Sequence, residues 1–540
     1  NGKRRYFEVK DNILYEAING YSEAVKTAIP IMRNMAQILR QTATSTFSFV
    51  LRNPARDTVT AGIQSKNGFI PILDSLVGLR HLLIKEEAYR KFNVSGASQA
   101  TFVSSDINEL KRSIRNMTRP KLKQVLWDTV RDPLHVMKLM AETMENSTRM
   151  GEFIKAEKKG LSQGMNPEEA LQYAAFEARN VSTDFQRGGT EGRKMNATRA
   201  FFNATIQGRV RAIEVAKERP VETLTFTILY VVLPSLLSWL LLKDDERYTR
   251  LSDSERSGYW FFPIPGTDDL ARIPKPHEWG YLFGSSVERS LDFFTERDPK
   301  ALDRTIDDIV QFPVDEILRM IPTAMYPIVE VASGYSFYRD RRIVSVYDEK
   351  LPKEQQFNRW TSEVSKKLSR LMPEDARLSP IEIDHLIFGW TAGVGRGVVG
   401  TVDQGLGESK VKPSRDLHER LWGLSSFIAR DPSGSSRVVS DFYELQKDID
   451  IIQSRIDAAK TLKEKRSQEQ KLEKELTQIR GESVASKVAA VKRTGRRLKR
   501  NWKKITSVFD STEMNADEKR ITLDNEYLKI FESIENLKRK

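Results

Sequence analysis

The sequence predicts a mainly α-helical, elongated, multi-helix protein with an extended proline- and aromatic-rich segment mid-chain and long C-terminal helices. Three observations predict it. From Leu14 to Leu51 apolar residues recur at the spacing of one helix face. Asn166-Pro167-Glu168-Glu169 combines an N-cap, a first-turn proline and a carboxylate placed to reach back to the cap. Phe442, Leu445, Ile449, Ile452, Ile456 and Ala459 step alternately by three and four, a heptad-like seam.

Five segments follow from these patterns: a helical region over 1–220, an apolar helix over 221–243, the extended segment over 244–285, a second helical region over 286–430 and basic helices over 431–540. Residues 1–12 read as a short extended lead-in. Asn53-Pro54 is expected to break the first helical run, because proline removes a donor and crowds the preceding turn. Asp132-Pro133 opens another helix, and the Asn166 cap starts one that runs to about Asn180. Gly188, Gly189 and Gly192 mark a loop; helix then resumes through Phe201, Phe202 and Ile206. Pro263, Pro265, Pro274 and Pro276 rule out a continuous helix between Tyr248 and Gly284, where one short hairpin fits. Helices are expected at 286–296, 300–311, 314–333, 353–372 and 379–402, with an irregular stretch from Gly334 to Pro352. The C-terminal seam falters at Lys463 and Arg466 and resumes at Leu472, which predicts a helical hairpin or two long helices.

The chain has 540 residues, enough for about two to four domains. Its first residue is Asn, which reads as a fragment, a processed product or the ordered part of something longer. The net charge of +13 favours contact with phosphates, in nucleic acid or anionic lipid. The absence of cysteine excludes disulfides, thiolate nucleophiles and cysteine-based zinc sites.

Against a background that is 30% charged, the run from Thr223 to Leu242 (TLTFTILYVVLPSLLSWLLL) carries no charge at all. As a helix it covers roughly 30 Å, the hydrocarbon thickness of a bilayer. Thr223, Phe226, Leu229, Val232, Pro234, Leu236, Leu237, Trp239 and Leu240 are its membrane-segment candidates, and Pro234 is expected to bend it. A fully buried core helix is the competing reading. Basic flanks on both sides set no orientation.

Lys487, Lys492, Arg493, Arg496, Arg497, Lys499, Arg500, Lys503 and Lys504 lie in a stretch without an acid between Ser483 and Phe509. Trp502, Ile505, Val508 and Phe509 add an apolar patch. Nucleic-acid contact, an interfacial membrane helix and a solvated helix packed on acidic neighbours all fit this pattern. Gly395-Arg396-Gly397-Val398-Val399-Gly400 has the G-x-G-x-x-G spacing but follows a helix start at Ser379-Pro380, not a strand. Gly389, Gly393 and Gly397, four apart, read instead as a stripe for close helix packing. The five histidines form no H-E-x-x-H, and no nucleophile elbow or P-loop is present. The expectation is a non-enzyme without catalytic, metal or cofactor residues.

Several motifs together resemble one family. They are Ser48-Phe49-Val50-Leu51-Arg52-Asn53-Pro54-Ala55-Arg56-Asp57; Asp184-Phe185-Gln186-Arg187-Gly188-Gly189, with Asn196 and Phe201 to Gly208; Arg272-Ile273-Pro274-Lys275-Pro276-His277-Glu278-Trp279-Gly280, with Phe283-Gly284 and Glu288-Arg289; and Pro327-Ile328-Val329-Glu330 with Ser379 to Gly395. Over roughly residues 5–405 the chain resembles a large polyvalent protein-associated helical domain of tailed-phage proteins. His277 departs from the aromatic or apolar residue expected at its place. Arg52, Asn53, Pro54, Asp57, Phe185, Gly188, Pro274, Pro276, Glu278 and Gly280 carry the match, with structural roles.

The resemblance implies an internal virion protein of a short-tailed phage, held inside the capsid and ejected to form a conduit across host periplasm and inner membrane. It implies a homo-oligomer around the portal axis, with other core and ejection proteins, the portal, double-stranded DNA and, after ejection, the host inner membrane as partners. In that setting the apolar run is expected to be covered before ejection and exposed to lipid afterwards. A constitutive membrane channel or receptor, and the non-catalytic helical part of a large polyvalent toxin or enzyme, are the alternatives.

Overall fold

A computed structural model describes residues 30–44, 46–100, 133–184, 187, 195–196, 198–267, 269–295, 301–302, 322–337, 341–345, 348–358, 360–406, 413–414, 424–432 and 436–538. The extended lead-in, the onset of helix at Leu14, and most of the helices expected over 300–325 lie outside these residues. The chain divides into two compact units, Asn1–Ser235 with Pro274–Gly407, and Leu236–Ile273 with Glu408–Lys540. The fold is mainly α-helical, as the periodicity predicts.

In the first unit α1 (Pro30–Thr44) is followed by α2 (Phe47–Gln64), whose N-terminus is capped by the Thr46 hydroxyl. Pro54 does not end α2 but sits inside it. Two side-chain bonds brace the helix on either side of it: Arg52 Nε donates to the Ser48 carbonyl at 3.1 Å and Asn53 Nδ2 to Asp57 Oδ2 at 2.9 Å. Packing on the long helix α5 holds the rest.

Next come α3 (Leu73–Ile84), α4 (Glu87–Val94), α5 (Pro133–Ser162) and α6 (Pro167–Asn180). The Asn166 capping box and Pro167 at the first turn are as the sequence predicts. Phe92, Met150, Phe153, Ala156, Ala174 and Ala178 form one core, in which Phe92 meets Phe153 edge-on at 5.5 Å. The alanine face of α6 lets it lie close to α5. At the crossing of α3 and α5, backbone meets backbone. A Cβ on Gly78 would fall 2.0 Å from the Ser147 carbonyl oxygen, and one on Gly151 2.2 Å from that of Asp74.

Helix α7 (Phe202–Glu218) stops at Arg219 (φ −141°, ψ 65°), because the residue before a proline is pushed out of the helical region. Helix α8 (Pro220–Leu242) then runs through the whole apolar segment; its residues to Ser235 belong to the first unit and the remainder to the second. A π-turn at Ile228–Val232 interrupts its α-helical geometry. It lies just before Pro234, in the turn that a proline ring would crowd.

Residues 277–285 form one helical and one π turn leading into α9 (Ser286–Phe294). Helix α10 (Tyr326–Ser333) ends on Gly334 at φ 68°, and a two-residue strand pair follows (Tyr335↔Arg342, Ser336↔Arg341). The helix expected over 353–372 is shorter than predicted: a single turn at Lys353–Gln355, then α11 (Glu363–Leu371), started by the Ser362 cap. Helix α12 (Pro380–Leu406) is broken at Ala392 (φ 48°, ψ −137°).

In the second unit the extended segment is narrower than expected. Residues Glu246–Arg250 and Asp253–Gly258 are short helices, the latter with a Ser252–Glu255 capping box; no proline lies between 244 and 258 to forbid them. Strands β1 (Tyr259–Pro263) and β2 (Leu270–Pro274) follow, and β2 pairs antiparallel with β3 (Ile428–Ala429). Four helices make the C-terminal part: α13 (Arg437–Ala458), α14 (Leu462–Glu475), α15 (Val484–Asp510) and α16 (Ala516–Glu535). The seam residues Phe442, Ile449 and Ile452 enter their common core with Leu472, Leu476, Val491, Leu498, Ile505, Ile530 and Phe531. The seam falters where α13 ends and Thr461 caps α14. Arg250 ties the short helices into this unit, pairing with Asp431 at 3.1 Å and lying over the Phe531 ring.

Candidate functional site

Helix α8 is long and apolar enough to cross a membrane, with mean hydropathy 2.0, yet only 28% of its apolar window is buried. The buried stripe is Thr223, Thr227, Val231, Ser235, Ser238 and Leu242, with Trp239 beside it. Leu224, Ile228, Leu229, Leu233, Leu237, Leu240 and Leu241 face outward. Phe226, Val232, Pro234 and Leu236 are half-buried. The π-turn explains the alignment. One extra residue in a turn sets the following residues back by about 100°, which returns Ser235, Ser238 and Leu242 to the face of Thr223 and Thr227.

This is amphipathicity turned inside out. A helix on a soluble core points its leucines inward; α8 points Thr223, Thr227, Ser235 and Ser238 inward with Val231, Trp239 and Leu242, and most of its leucines outward. In the first unit Ser235 lies against Gly284, where a Cβ would be 2.7 Å from its Oγ. In the second unit Ser238 Oγ accepts from the Phe261 N–H and donates to its carbonyl, both at 3.0 Å. Small residues toward protein and large apolar residues away is the arrangement of a helix that faces lipid.

Helix α3 shares the arrangement, which no sequence motif announces. Gly78 and Ser75 face α5 and α2, with the Ser75 hydroxyl 2.9 Å from that of Thr58, while Leu73, Leu76, Val77, Leu83 and Ile84 are exposed. The two helices are neighbours: Pro71, just before α3, and Tyr230 of α8 both lie against Gly62. The signal available was Gly78 inside the run Leu73–Ile84, which is too short to span a bilayer.

The cationic stretch falls on α15. Val488, Val491, Leu498, Asn501, Ile505 and Val508 are buried in the four-helix core, with Trp502 against Tyr527 at 5.9 Å. Lys492, Arg493, Arg496, Arg497, Lys499, Arg500, Lys503 and Lys504 are exposed. Lys487 is half-buried and lies on the packed side, beside Gly481. Lys492 reaches Asp450 at 3.9 Å and Lys504 reaches Glu526 at 4.0 Å. Among the described residues, Arg493, Arg496, Arg497, Lys499, Arg500 and Lys503 have no carboxylate within ion-pair distance.

The motif residues meet one another in the first unit. Gly208 of α7 leaves room for Glu278, whose Oε1 would be 2.9 Å from a Cβ there. Burial raises the Glu278 carboxyl above its ordinary pKa, with Arg209 opposing. Pro274 and Pro276 are buried, and the Gly280 N–H donates to the Pro276 carbonyl at 2.5 Å. Lys275 between the prolines pairs with Glu288 at 2.8 Å. Glu330 Oε2 meets His385 Nε2 at 2.7 Å, and Pro327 packs on Gly389. Gly393 lies against Thr46, whereas among the described residues nothing lies within 4 Å of where a Cβ on Gly397 would stand. Phe185 and Gly188 lie outside the described residues.

Two carboxyls, Asp57 of the first motif and Glu152 of α5, sit in enclosed surroundings. Asp57 sits in α2 near Glu145 and Arg149; burial and then Glu145 push it up to about 7, against Arg149 and Arg56. Its residue surface is partly open, but its carboxylate is densely surrounded by protein atoms. Glu152 accepts from Ser65 Oγ at 2.8 Å and Asn67 Nδ2 at 2.8 Å, yet burial raises it to about 7. Among the described residues no cluster of three or more metal-binding side chains occurs.

Residues 245–422 match the family model described as Large polyvalent protein associated domain 38. The match takes in the proline element, Pro327–Glu330 and Ser379–Gly395, and supports a polyvalent-protein domain over that stretch; the motifs at 48–57 and 184–208 lie outside it. No curated protein and no solved structure matches the chain.

Proposed function

We propose that the chain is an internal virion protein of a short-tailed phage. It assembles as a homo-oligomer around the portal axis with other core proteins, beside packaged double-stranded DNA. After ejection it contributes to a conduit through the host periplasm and inner membrane. The observation that carries this reading is α8: a membrane-length helix whose four buried hydroxyl residues face protein and most of whose leucines face out. Before ejection that outward face is covered by a neighbouring subunit or core protein; afterwards it faces lipid. The polyvalent-domain match and the helical fold support the reading. Its role in this setting is structural, not catalytic.

A second reading, the non-catalytic helical part of a large polyvalent toxin or enzyme, draws on the domain match taken alone. Mass spectrometry of purified virions separates the two. Peptides of this chain inside washed, nuclease-treated particles are expected under the first reading, and their absence sinks it.

A further inference from the structure

Helix α15 divides its circumference between two tasks. At about 100° per residue, Lys492, Arg493, Arg496, Arg497, Lys499, Arg500, Lys503 and Lys504 fill one continuous arc of roughly 160°, while the buried residues fill the opposite side. The arc runs about 18 Å along the axis at 1.5 Å per residue. No acid interrupts it from Ser483 to Phe509.

Each of the three competing occupants makes a different demand. An interfacial membrane helix needs a free apolar face. Here Val491, Leu498, Ile505 and Val508 are committed to the core and Trp502 is packed on Tyr527. A solvated helix packed on acidic neighbours needs those acids in reach, and among the described residues only Lys492 and Lys504 of the arc find one, at the limit of ion-pair distance. Phosphates in a regular array need only cations spread over a rigid surface, which is what remains.

We infer that the outer face of α15 is a binding surface for the phosphate backbone of duplex nucleic acid, read without regard to base sequence. A duplex presents one phosphate charge per about 1.7 Å of axis, so an 18 Å face meets several phosphates at once. Arginines are well represented in the arc, and their planar fork suits phosphate oxygens. The face also carries a cost in the free protein. Lys492/Arg496, Arg493/Arg497, Arg496/Arg500 and Lys499/Lys503 are like charges one turn apart, and such pairs destabilise a helix. A bound polyanion relieves that repulsion. The inference stands on the second unit alone and does not depend on the membrane role of α8.

The test uses the full chain and fluorescence anisotropy with two labelled duplexes of unrelated sequence, across a salt series. The variant carries Arg496→Glu, Arg497→Glu, Arg500→Glu and Lys503→Glu. A control of equal charge change carries Lys463→Glu, Lys465→Glu, Arg466→Glu and Lys471→Glu on the exposed side of α14. The wild type is expected to bind both duplexes alike. The variant should lose at least about tenfold in affinity at low salt, and its log K against log salt should flatten by about three to four, close to 0.9 per phosphate contact removed. The control should lose far less. Thermal melting of the variant should be no lower than wild type, which separates lost binding from lost fold; if it melts lower, the glutamine versions of the four substitutions replace it. Equal affinity of variant and wild type overturns the inference, and so does an equal loss in the control. Wild type that captures phosphatidylglycerol vesicles while leaving the duplexes free also overturns it, in favour of a lipid surface.

Discussion

Lys275 Nζ lies 2.8 Å from Glu288 Oε1, and both side chains are almost wholly buried, at 1% and 2% exposure. One comes from the proline element and the other from the first turn of α9; the π turn between them meets the inner side of α8 at Gly284. The pair fixes the bed against which the outward helix is presented.

Removing one partner of a buried pair leaves an uncompensated charge, at about 3–5 kcal/mol. Lys275→Met should therefore lower the urea midpoint strongly. Lys275→Met combined with Glu288→Leu should recover much of the loss, because no charge is then stranded. A double variant as unstable as the single would show that the charges do not act as a pair.

Gly280 and Gly397 should respond to alanine in opposite directions. A Cβ on Gly280 would stand 2.5 Å from the Lys275 Cβ, within a tight turn that cannot yield. Gly280→Ala is expected to cost about 1–3 kcal/mol. Among the described residues nothing lies within 4 Å of a Cβ on Gly397 in α12, so Gly397→Ala should stabilise by about 0.5–1 kcal/mol. Thermal melts decide; a destabilising Gly397→Ala would mean that this glycine packs against something in the free chain.

Acidity should stabilise the first unit. Asp57 and Glu152 are raised from ordinary carboxyl values of 3.8 and 4.5 to about 7. The folded state thus binds more protons than the unfolded state between about pH 4 and 7. Their contribution is full below the unfolded pKa values and is lost as pH rises through 7. The melting temperature should be higher at pH 5.5 than at pH 8, and Asp57→Asn with Glu152→Gln should flatten the difference. A melting temperature that rises from pH 5.5 to pH 8 contradicts this.

How much of this was legible depended on where the information sat. The Asn166 cap and the α13 seam are local patterns, and both appear where the sequence places them. Pro54 does not break α2 as its residue type predicts, because the packing of α2 on α5, invisible in a local pattern, outweighs a single proline. The apolar run was plain, but not its inside-out orientation. That rests on the π-turn before Pro234 and on partners such as Gly284 and Phe261, far away in sequence. The cation arc was visible as composition; its separation from Lys487 needed the packed side of α15 to be known. The crossing of Gly78 and Gly151 left almost no trace in the sequence.

In the proposed function the outward face of α8 meets lipid, while its inward face packs on protein. The direct measurement is flotation of the full chain with liposomes after unfolding and refolding in their presence. Wild type is compared with a variant carrying Leu233→Asn, Leu237→Asn, Leu240→Asn and Leu241→Asn, and with Ser238→Ala. The outward variant should remain folded in water and lose flotation. Ser238→Ala, which removes the bonds to Phe261, should float like wild type while losing about 1–2 kcal/mol of stability in water. Flotation of the outward variant equal to that of wild type would contradict the account.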